Sequence, residues 1–411
     1  MMRLINTETL ELEDFWFHAP PYAILSHTWG PEEVTYQDYI IATDPKGPEN
    51  SRYNAIKEKA GFVKIYGSCS QAAKDGHKYL WCDTNCIDKT SSAELGEAIN
   101  SMYDWYHDSA VCYAYLADID KGDDQKPLTS SRWFTRGWTL QELLAPKEVV
   151  FFDKSWITLG TRKGLAEVIS PTTLIHLEAL HDRDTIPDFS IAQRMSWAAG
   201  RTTTRYEDIA YCLLGIFGIN MSLIYGEGNN AFLRLQQKII KKFNDHSIFA
   251  WDASDSEKGR PTSVFAPNPT NFQFCGSVVQ NRSTGSGSQF ALTNQGISIK
   301  AIITRMHRSN TIFMRLNCAR ELRGGLRTSE SRTARPPQRF EMWLPLHERD
   351  EVNCVRIHNP VSKLHLRSNF QPISELPRWV SSLGSLKTPL ELMLVLTVTT
   401  TLEYQELIDH S

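Results

Sequence analysis

Five sets of side chains along this sequence carry types suited to chemistry. Glu142 is the first. A helix from Trp138 to Ala145, at about 100° per residue, puts Leu140, Leu143 and Leu144 on one apolar stripe. Glu142 then lies about 160° from Leu140 and Leu144 and shares a face with Trp138. A carboxylate beside an indole, near the end of a sheet, can line a ligand crevice. It fits a solvated helix face as well. Ser26, His27 and Trp29 follow an apolar run, Tyr22 to Ser26, and form the second set. Ser26 can donate to a phosphate, Trp29 can stack on a base, and His27 can act as acid, base or ordinary polar contact. A tight turn packed through Trp29-Gly30 is the structural alternative. Asp83 and Asp88 can bind a cation or a ribose, or cap a loop and the helix behind it. Arg132 and Arg136, close in sequence to Glu142, can clamp a pyrophosphate or stand at a helix entry. Cys82 and Cys86 have no second His or Cys pair to complete four ligands, so no metal is expected and both read as packing residues.

The elements that must position these groups fall into three zones. Residues 1–160 alternate strand and helix patterns. Short apolar runs at Tyr22–Ser26, Tyr79–Asp83, Ala110–Leu116 and Glu148–Phe152 read as strands. Ser51–Gly76, Glu94–His107 and Trp133–Leu144 read as helices; in the second, Leu95, Ala98, Ile99, Met102, Trp105 and Tyr106 recur at helical spacing. Such alternation predicts a parallel sheet covered on both faces. Residues 161–255 read as mainly helical. Asp208 is expected to cap Ile209–Phe217, and Asn229 or Asn230 the following helix. Arg201 and Arg205 are expected to dock this zone by pairing with Glu207 or an outside carboxylate. Gly226-Glu227-Gly228 reads as a structural turn, since Glu227 would oppose a phosphate at a helix start. Residues 256–411 lose the helix period, and strands at Gly296–Ile303, Thr311–Asn317, Phe340–Leu346, Asn353–His358 and Leu392–Thr400 indicate a β-rich domain. Residues 319–339 hold six arginines among Gly, Ser and Pro and read as a flexible loop.

Composition narrows the function classes. The 411 residues carry 44 basic and 47 acidic side chains, a formal net charge of −3, which argues against nucleic-acid binding by bulk charge. A polyanion-binding arm at residues 319–339 is the minor alternative. No secretory signal is read at the N-terminus, and Leu390–Leu402 is too short to span a bilayer. Eight cysteines without CxxC pairs fit reduced thiols and a cytoplasmic location. There is no internal repeat, and the motifs GxxxxGK[ST], GxGxxG, HExxH and GxSxG are absent.

Four ordered segments together resemble the fungal heterokaryon-incompatibility (HET) domain. They are Tyr22-Ala-Ile-Leu-Ser26-His27-Thr-Trp29-Gly30; Tyr79-Leu-Trp81-Cys-Asp83-Thr-Asn-Cys86-Ile87-Asp88 with Glu94 and Met102; Ser131-Arg132-Trp133 through Gly137-Trp138-Thr-Leu-Gln141-Glu142-Leu143; and Arg194-Met-Ser196-Trp197 through Arg201 to Asp208, then Tyr225-Gly226-Glu227-Gly228. Lys89 stands where the family usually has Gln, and His27 where Tyr is common. The HET family in turn looks like a distant relative of TIR domains. That likeness implies a flavodoxin/TIR-like α/β core with a helical extension, followed by the β-rich domain. The HET resemblance itself implies a role in programmed cell death and fungal innate immunity after fusion of unlike cells. Trp138 to Leu143 resembles the WCxxEL segment of TIR enzymes that cleave NAD, with Thr139 in place of Cys, and the catalytic glutamate carries over to Glu142.

In such a cleavage the nicotinamide leaving group is already cationic, so no general acid is needed to protonate it. An ionised carboxylate near the ribose stabilises the oxocarbenium-like transition state. The resemblance therefore implies NAD as substrate, no tightly bound cofactor, and activation by self-association or by a nonself-recognition partner of the NLR type. The rival expectation is a non-enzymatic death-signalling module that assembles through the same domain.

Overall fold

The computed structural model describes residues 1–122, 126–252, 261–281, 290–293, 296–301, 303–305, 311–322, 338–348, 353–357, 366–367 and 394–398. Two compact units form, each discontinuous in sequence. One takes Met1–Ile186 and Gly200–Ala231; the other takes Pro187–Ala199 and the chain from Phe232 onward. The helices run, in order, α1 (Tyr36–Thr43), α2 (Tyr53–Lys57), α3 (Ala60–Lys74), α4 (Ser92–Asp108), α5 (Thr139–Leu144), α6 (Ala166–Thr173), α7 (Leu177–His181), α8 (Ile191–Ser196), α9 (Asp208–Tyr211), α10 (Leu214–Phe217) and α11 (Asn230–Lys242). Among the described residues no helix is long and apolar enough to cross a membrane.

The first unit is an α/β domain on a seven-stranded sheet. Its strands are β1 (Met2–Asn6), β2 (Leu12–Phe15), β3 (Ala23–His27), β4 (Tyr79–Trp81), β5 (Val111–Tyr115), β6 (Val149–Phe152) and β7 (Thr158–Thr161), in the order β2-β1-β4-β3-β5-β6-β7. β3 pairs in parallel with β4 and β5, and β5 in parallel with β6. The expected all-parallel sheet is corrected at both edges: β1 runs antiparallel to β4 and forms a hairpin with β2, and β7 turns back antiparallel on β6. A strand that reverses through a short turn needs no crossover helix, so the edges escape the alternation rule.

β3 is central, and all five of its residues are buried. A strand covered on both faces reads as an unbroken apolar run, which is why Ala-Ile-Leu was legible. The parallel strands follow the order 2-1-3-4 in chain sequence. Connections leave β3 in one direction toward β4 and return across it to β5, so the strand order reverses between β3 and β5, the switch point at which open α/β sheets bind ligands. α4 covers this sheet with Ala98, Ile99, Met102 and Tyr106 buried, and its first turn is capped by Ser91, which accepts from the Glu94 amide.

Two predicted helices are divided. Ser51–Gly76 breaks between α2 and α3, where Lys59 is extended. Trp133–Leu144 becomes a 3-10 turn, Arg132–Thr135, followed by α5. The break falls at Gly137, whose amide donates to Thr202 O at 2.9 Å. A Cβ there would stand 2.5 Å from the Thr203 methyl, so only glycine fits.

In the second unit α8 and α11 accompany a ten-stranded sheet: β8 (Pro261–Thr262), β9 (Val278–Gln280), β10 (Phe290–Thr293), β11 (Gly296–Ala301), β12 (Ile303–Arg305), β13 (Thr311–Leu322), β14 (Gln338–Glu348), β15 (Asn353–Ile357), β16 (Leu366–Arg367) and β17 (Leu394–Val398). The two ends of the expected Arg-rich loop at 319–339 are strands instead. Ala319–Leu322 and Gln338–Glu341 pair as strands, and residues 323–337 lie outside the described residues.

Candidate functional site

The carboxyl end of β3 delivers Ser26 and His27 side by side, and register with β5 sets Ser26 opposite Ala114. α5 approaches the same edge. Its six residues are all buried, Glu142 included. Ser26 Oγ donates to Glu142 Oε2 and accepts from Trp133 Nε1 at 2.8 Å. The fully buried Trp133 indole thus orients the Ser26 hydroxyl toward the carboxyl. Tyr106 reaches the same carboxyl from α4, while its hydroxyl donates to Leu25 O at 3.1 Å.

The burial of Glu142 corrects the solvated helix face expected as its alternative. Opposite its apolar stripe α5 meets β3 and α4 rather than water, so this short helix is covered all round. Burial pushes the Glu142 carboxyl up to about 8, while the Ser26 and Tyr106 hydroxyls and the Arg201 charge pull the other way and the Asp83 charge adds to the rise. The carboxyl is therefore largely protonated at neutral pH, not ionised.

Arginines hold α5 in place. Arg201 Nη1 donates to Arg136 O at 2.8 Å and Thr139 Oγ1 at 2.9 Å, at the start of the helix. Arg162 Nη1 donates to Leu143 O at 2.7 Å and Leu144 O at 3.2 Å, and Nη2 to Lys147 O at 3.2 Å. Arg183 Nη1 donates to Ala145 O at 2.7 Å. Guanidinium groups here satisfy last-turn carbonyls that the helix leaves open. Burial draws Arg201 down to about 10, so it stays charged. Glu207 Oε1 accepts from the Gly226 and Gly228 amides at 2.8 and 3.0 Å, and its own backbone amide, these bonds and the nearby Arg205 charge hold its carboxyl below the ordinary range. That carboxylate fills the glycine turn that a phosphate would have needed. Asp208 opens α9 without capping it, and accepts from Tyr225 Oη at 3.0 Å and from the Trp138 indole.

The remaining predicted residues form a second group around the exposed Trp29. Its Nε1 donates to Asp83 Oδ2 at 3.0 Å, and Lys89 Nζ sits 3.6 Å from its ring centroid and 3.5 Å from Asp83 Oδ2. Arg132 donates through Nε to Thr28 Oγ1 and through Nη2 to Trp29 O, both at 2.9 Å. Arg132 therefore fixes the loop after β3. Arg136 donates to Thr204 Oγ1 at 3.0 Å instead. Asp88 accepts from Gln37 Nε2 at 2.7 Å and from Thr90, whose hydrogen bonds hold its carboxyl below the ordinary range. These are the contacts of a loop cap. His27 is wholly buried, with Nε2 3.7 Å from Glu33 Oε2 and 3.9 Å from Asp83 Oδ1.

Sequence reasoning missed Trp133, Tyr106, Thr139, Arg201 and Glu33 as members of the site. Trp133 and Tyr106 read as ordinary apolar positions, and no spacing links Arg201 to Glu142 across so many residues. A separate cleft of about 680 Å³, lined by Trp16, Phe17, His18, Tyr22, Asp104 and Trp105, opens at the start of β3 and β5, the opposite edge from Ser26.

Residues 22–127 match the heterokaryon incompatibility protein (HET) family, and residues 230–313 match a domain of unknown function, DUF8212. The chain is 48% identical over 233 residues to the vegetative incompatibility protein HET-E-1 of Podospora anserina, an alignment covering 54% of this chain and 16% of that relative. The chain thus spans only a small part of the length of the relative it matches. No solved structure matches it. Strand β3 and its Ser26-His27 end, the β4 loop with Asp83 and Asp88, and α4 all fall inside residues 22–127, the segment that matches the heterokaryon incompatibility (HET) family.

Proposed function

We propose that the protein is an effector of fungal heterokaryon incompatibility, acting in the cytoplasm and promoting regulated cell death after nonself recognition by cleavage of NAD. The relative's name supports the incompatibility role. The 2-1-3-4 order of parallel strands supports a flavodoxin/TIR-like core. The observation that carries the enzymatic reading is the pairing of Ser26 with Glu142 at the carboxyl edge of the central strand.

In the proposed reaction the bond between ribose C1′ and the nicotinamide nitrogen breaks, and its electron pair leaves with neutral nicotinamide. The ionised form of Glu142, which grows as pH approaches about 8, stabilises the cationic sugar, and water adds at C1′ and loses a proton to solvent. Ser26 orients the carboxylate. In this reading Trp29, Arg132 and Lys89, near the carboxyl ends of β3 and β4, supply a stacking surface and positive charge for the nucleotide. The protein needs no tightly bound cofactor.

A second reading rests on the burial of Glu142: a carboxyl covered by Ser26, Tyr106 and Trp133 also suits a structural core of a non-enzymatic module that assembles with copies of itself or with an NLR-type partner. Incubation of concentrated protein with NAD, with free nicotinamide as readout, separates the two. Release by wild type and not by Glu142→Gln supports the enzyme. Release by neither, under conditions where self-association is demonstrated, leaves the assembling module.

A further inference from the structure

His27 is a buried imidazole whose two ring nitrogens have no hydrogen-bond partner among the described residues. Buried polar groups nearly always find a hydrogen-bond partner, whereas the carboxylates nearest Nε2, those of Glu33 and Asp83, stand 3.7 and 3.9 Å away, beyond hydrogen-bond distance. Cys82 and Asp83 lie at the end of the neighbouring strand β4, which pairs with β3 through Ile24 and Trp81. One ligand atom each from His27, Cys82 and Asp83 lies within 4.8 Å of the others. We propose that these three side chains form a binding site for a zinc-class divalent cation.

Donor chemistry selects the ion. Imidazole and thiolate favour borderline metals such as Zn²⁺ over Mg²⁺ or Ca²⁺, and three protein donors leave a fourth, water-filled position. Bonds of about 2.0–2.3 Å set tetrahedral ligand atoms roughly 3.3–3.8 Å apart. The three donors therefore need to close by about 1 Å. Asp83 binds through Oδ1, which faces His27, since Oδ2 already accepts from Trp29. Cys82 loses its thiol proton to solvent and binds as thiolate. The neighbouring cations do not block the site. Lys64 Nζ is neutralised by Glu33 at 2.6 and 2.8 Å, and Lys89 reaches Asp83 from a part-exposed, flexible stem that can swing to solvent. The sequence hid the site because its donors come from two strands, 55 positions apart, and not from a spaced motif.

The test uses the metal-stripped full chain titrated with Co²⁺ and then Zn²⁺. The expected result is one Co²⁺ per chain, with a thiolate-to-cobalt charge-transfer band that Zn²⁺ displaces. Cys82→Ala should abolish the band and Cys86→Ala should keep it. Asp83→Asn should weaken affinity about tenfold or more and remove the thermal stabilisation by Zn²⁺. Should Cys82→Ala fail to fold by circular dichroism, Asp83→Asn decides. Absence of stoichiometric binding by folded wild type, a band that survives in folded Cys82→Ala, or affinity unchanged in Asp83→Asn would each overturn the proposal.

Discussion

Glu142 is a buried carboxyl whose ionisation differs between the folded and unfolded chain. The unfolded carboxyl ionises near its ordinary 4.5, while the folded one keeps its proton to about 8. Between those values the native state binds more protons than the unfolded state, so stability is full below pH 4.5 and falls as pH rises toward 8. Glu142→Gln keeps the shape without the charge. Denaturant titrations should show that variant losing the pH slope and gaining on the order of a few kcal/mol over wild type at pH 7–8. Activity runs the other way. If the reacting form is the carboxylate, nicotinamide release should climb with pH and level off above about 8. Glu142→Gln should cut the rate by on the order of 10²–10³. A rate that is flat from pH 6 to 9 would argue against a carboxylate at the centre. Ser26→Ala leaves the Trp133 N–H and the carboxyl without their shared partner, at a cost of about 1–3 kcal/mol by thermal denaturation.

At the scale of elements, α5 is six residues long and cannot hold itself together. Its geometry comes from groups outside it: Arg201 at the start, Arg162 and Arg183 at the end. Arg162→Ala would leave the Leu143, Leu144 and Lys147 carbonyls without that donor. It should cost about 3 kcal/mol or more and lower activity with it, as fluorescence-monitored urea unfolding beside the nicotinamide assay would show. Lysine offers a single ammonium in place of the planar fork, so Arg162→Lys should recover only part of the loss. Gly137→Ala meets Thr203 at the break before α5 and should destabilise by about 1–3 kcal/mol.

At the scale of the whole molecule, the two units interleave along the chain. The segment Pro187–Ala199 belongs with residues beyond 231: Ser190 Oγ donates to Val278 O at 2.6 Å, Gln193 Nε2 to Gly276 O at 3.1 Å, and the Ile191 amide to Asp245 Oδ2 at 2.8 Å. A fragment ending at Ala250 loses the first two contacts. Buried Ile191, Met195 and Trp197 would lose part of their cover. Limited proteolysis should then cut that fragment within 187–199 while the full chain resists there; equal resistance would show that the later strands do not protect it.

Much of the α/β unit was legible in the sequence. Ala23-Ile-Leu, Tyr79-Leu-Trp and Val111–Tyr115 are apolar because both faces of a parallel strand are covered, and α4 shows its buried stripe because one helix face meets the sheet. The residue types at the end of β3 are equally plain in the sequence, as is the Glu142 position opposite an apolar stripe. Other features had no local signature. The hairpin β1–β2 and the strand β7 are antiparallel edges set by short turns and by pairing. The 100° projection put Glu142 opposite its apolar stripe, but projection tells only which side a residue faces, not what covers that side. Tertiary packing covered it with β3 and α4, and so turned an expected solvated, ionised carboxylate into a buried, protonated one hydrogen-bonded to Ser26. Sequence alone determined which groups arrive at the sheet edge; the fold decided their ionisation and their partners, because desolvation and hydrogen bonding depend on neighbours that lie far away along the chain.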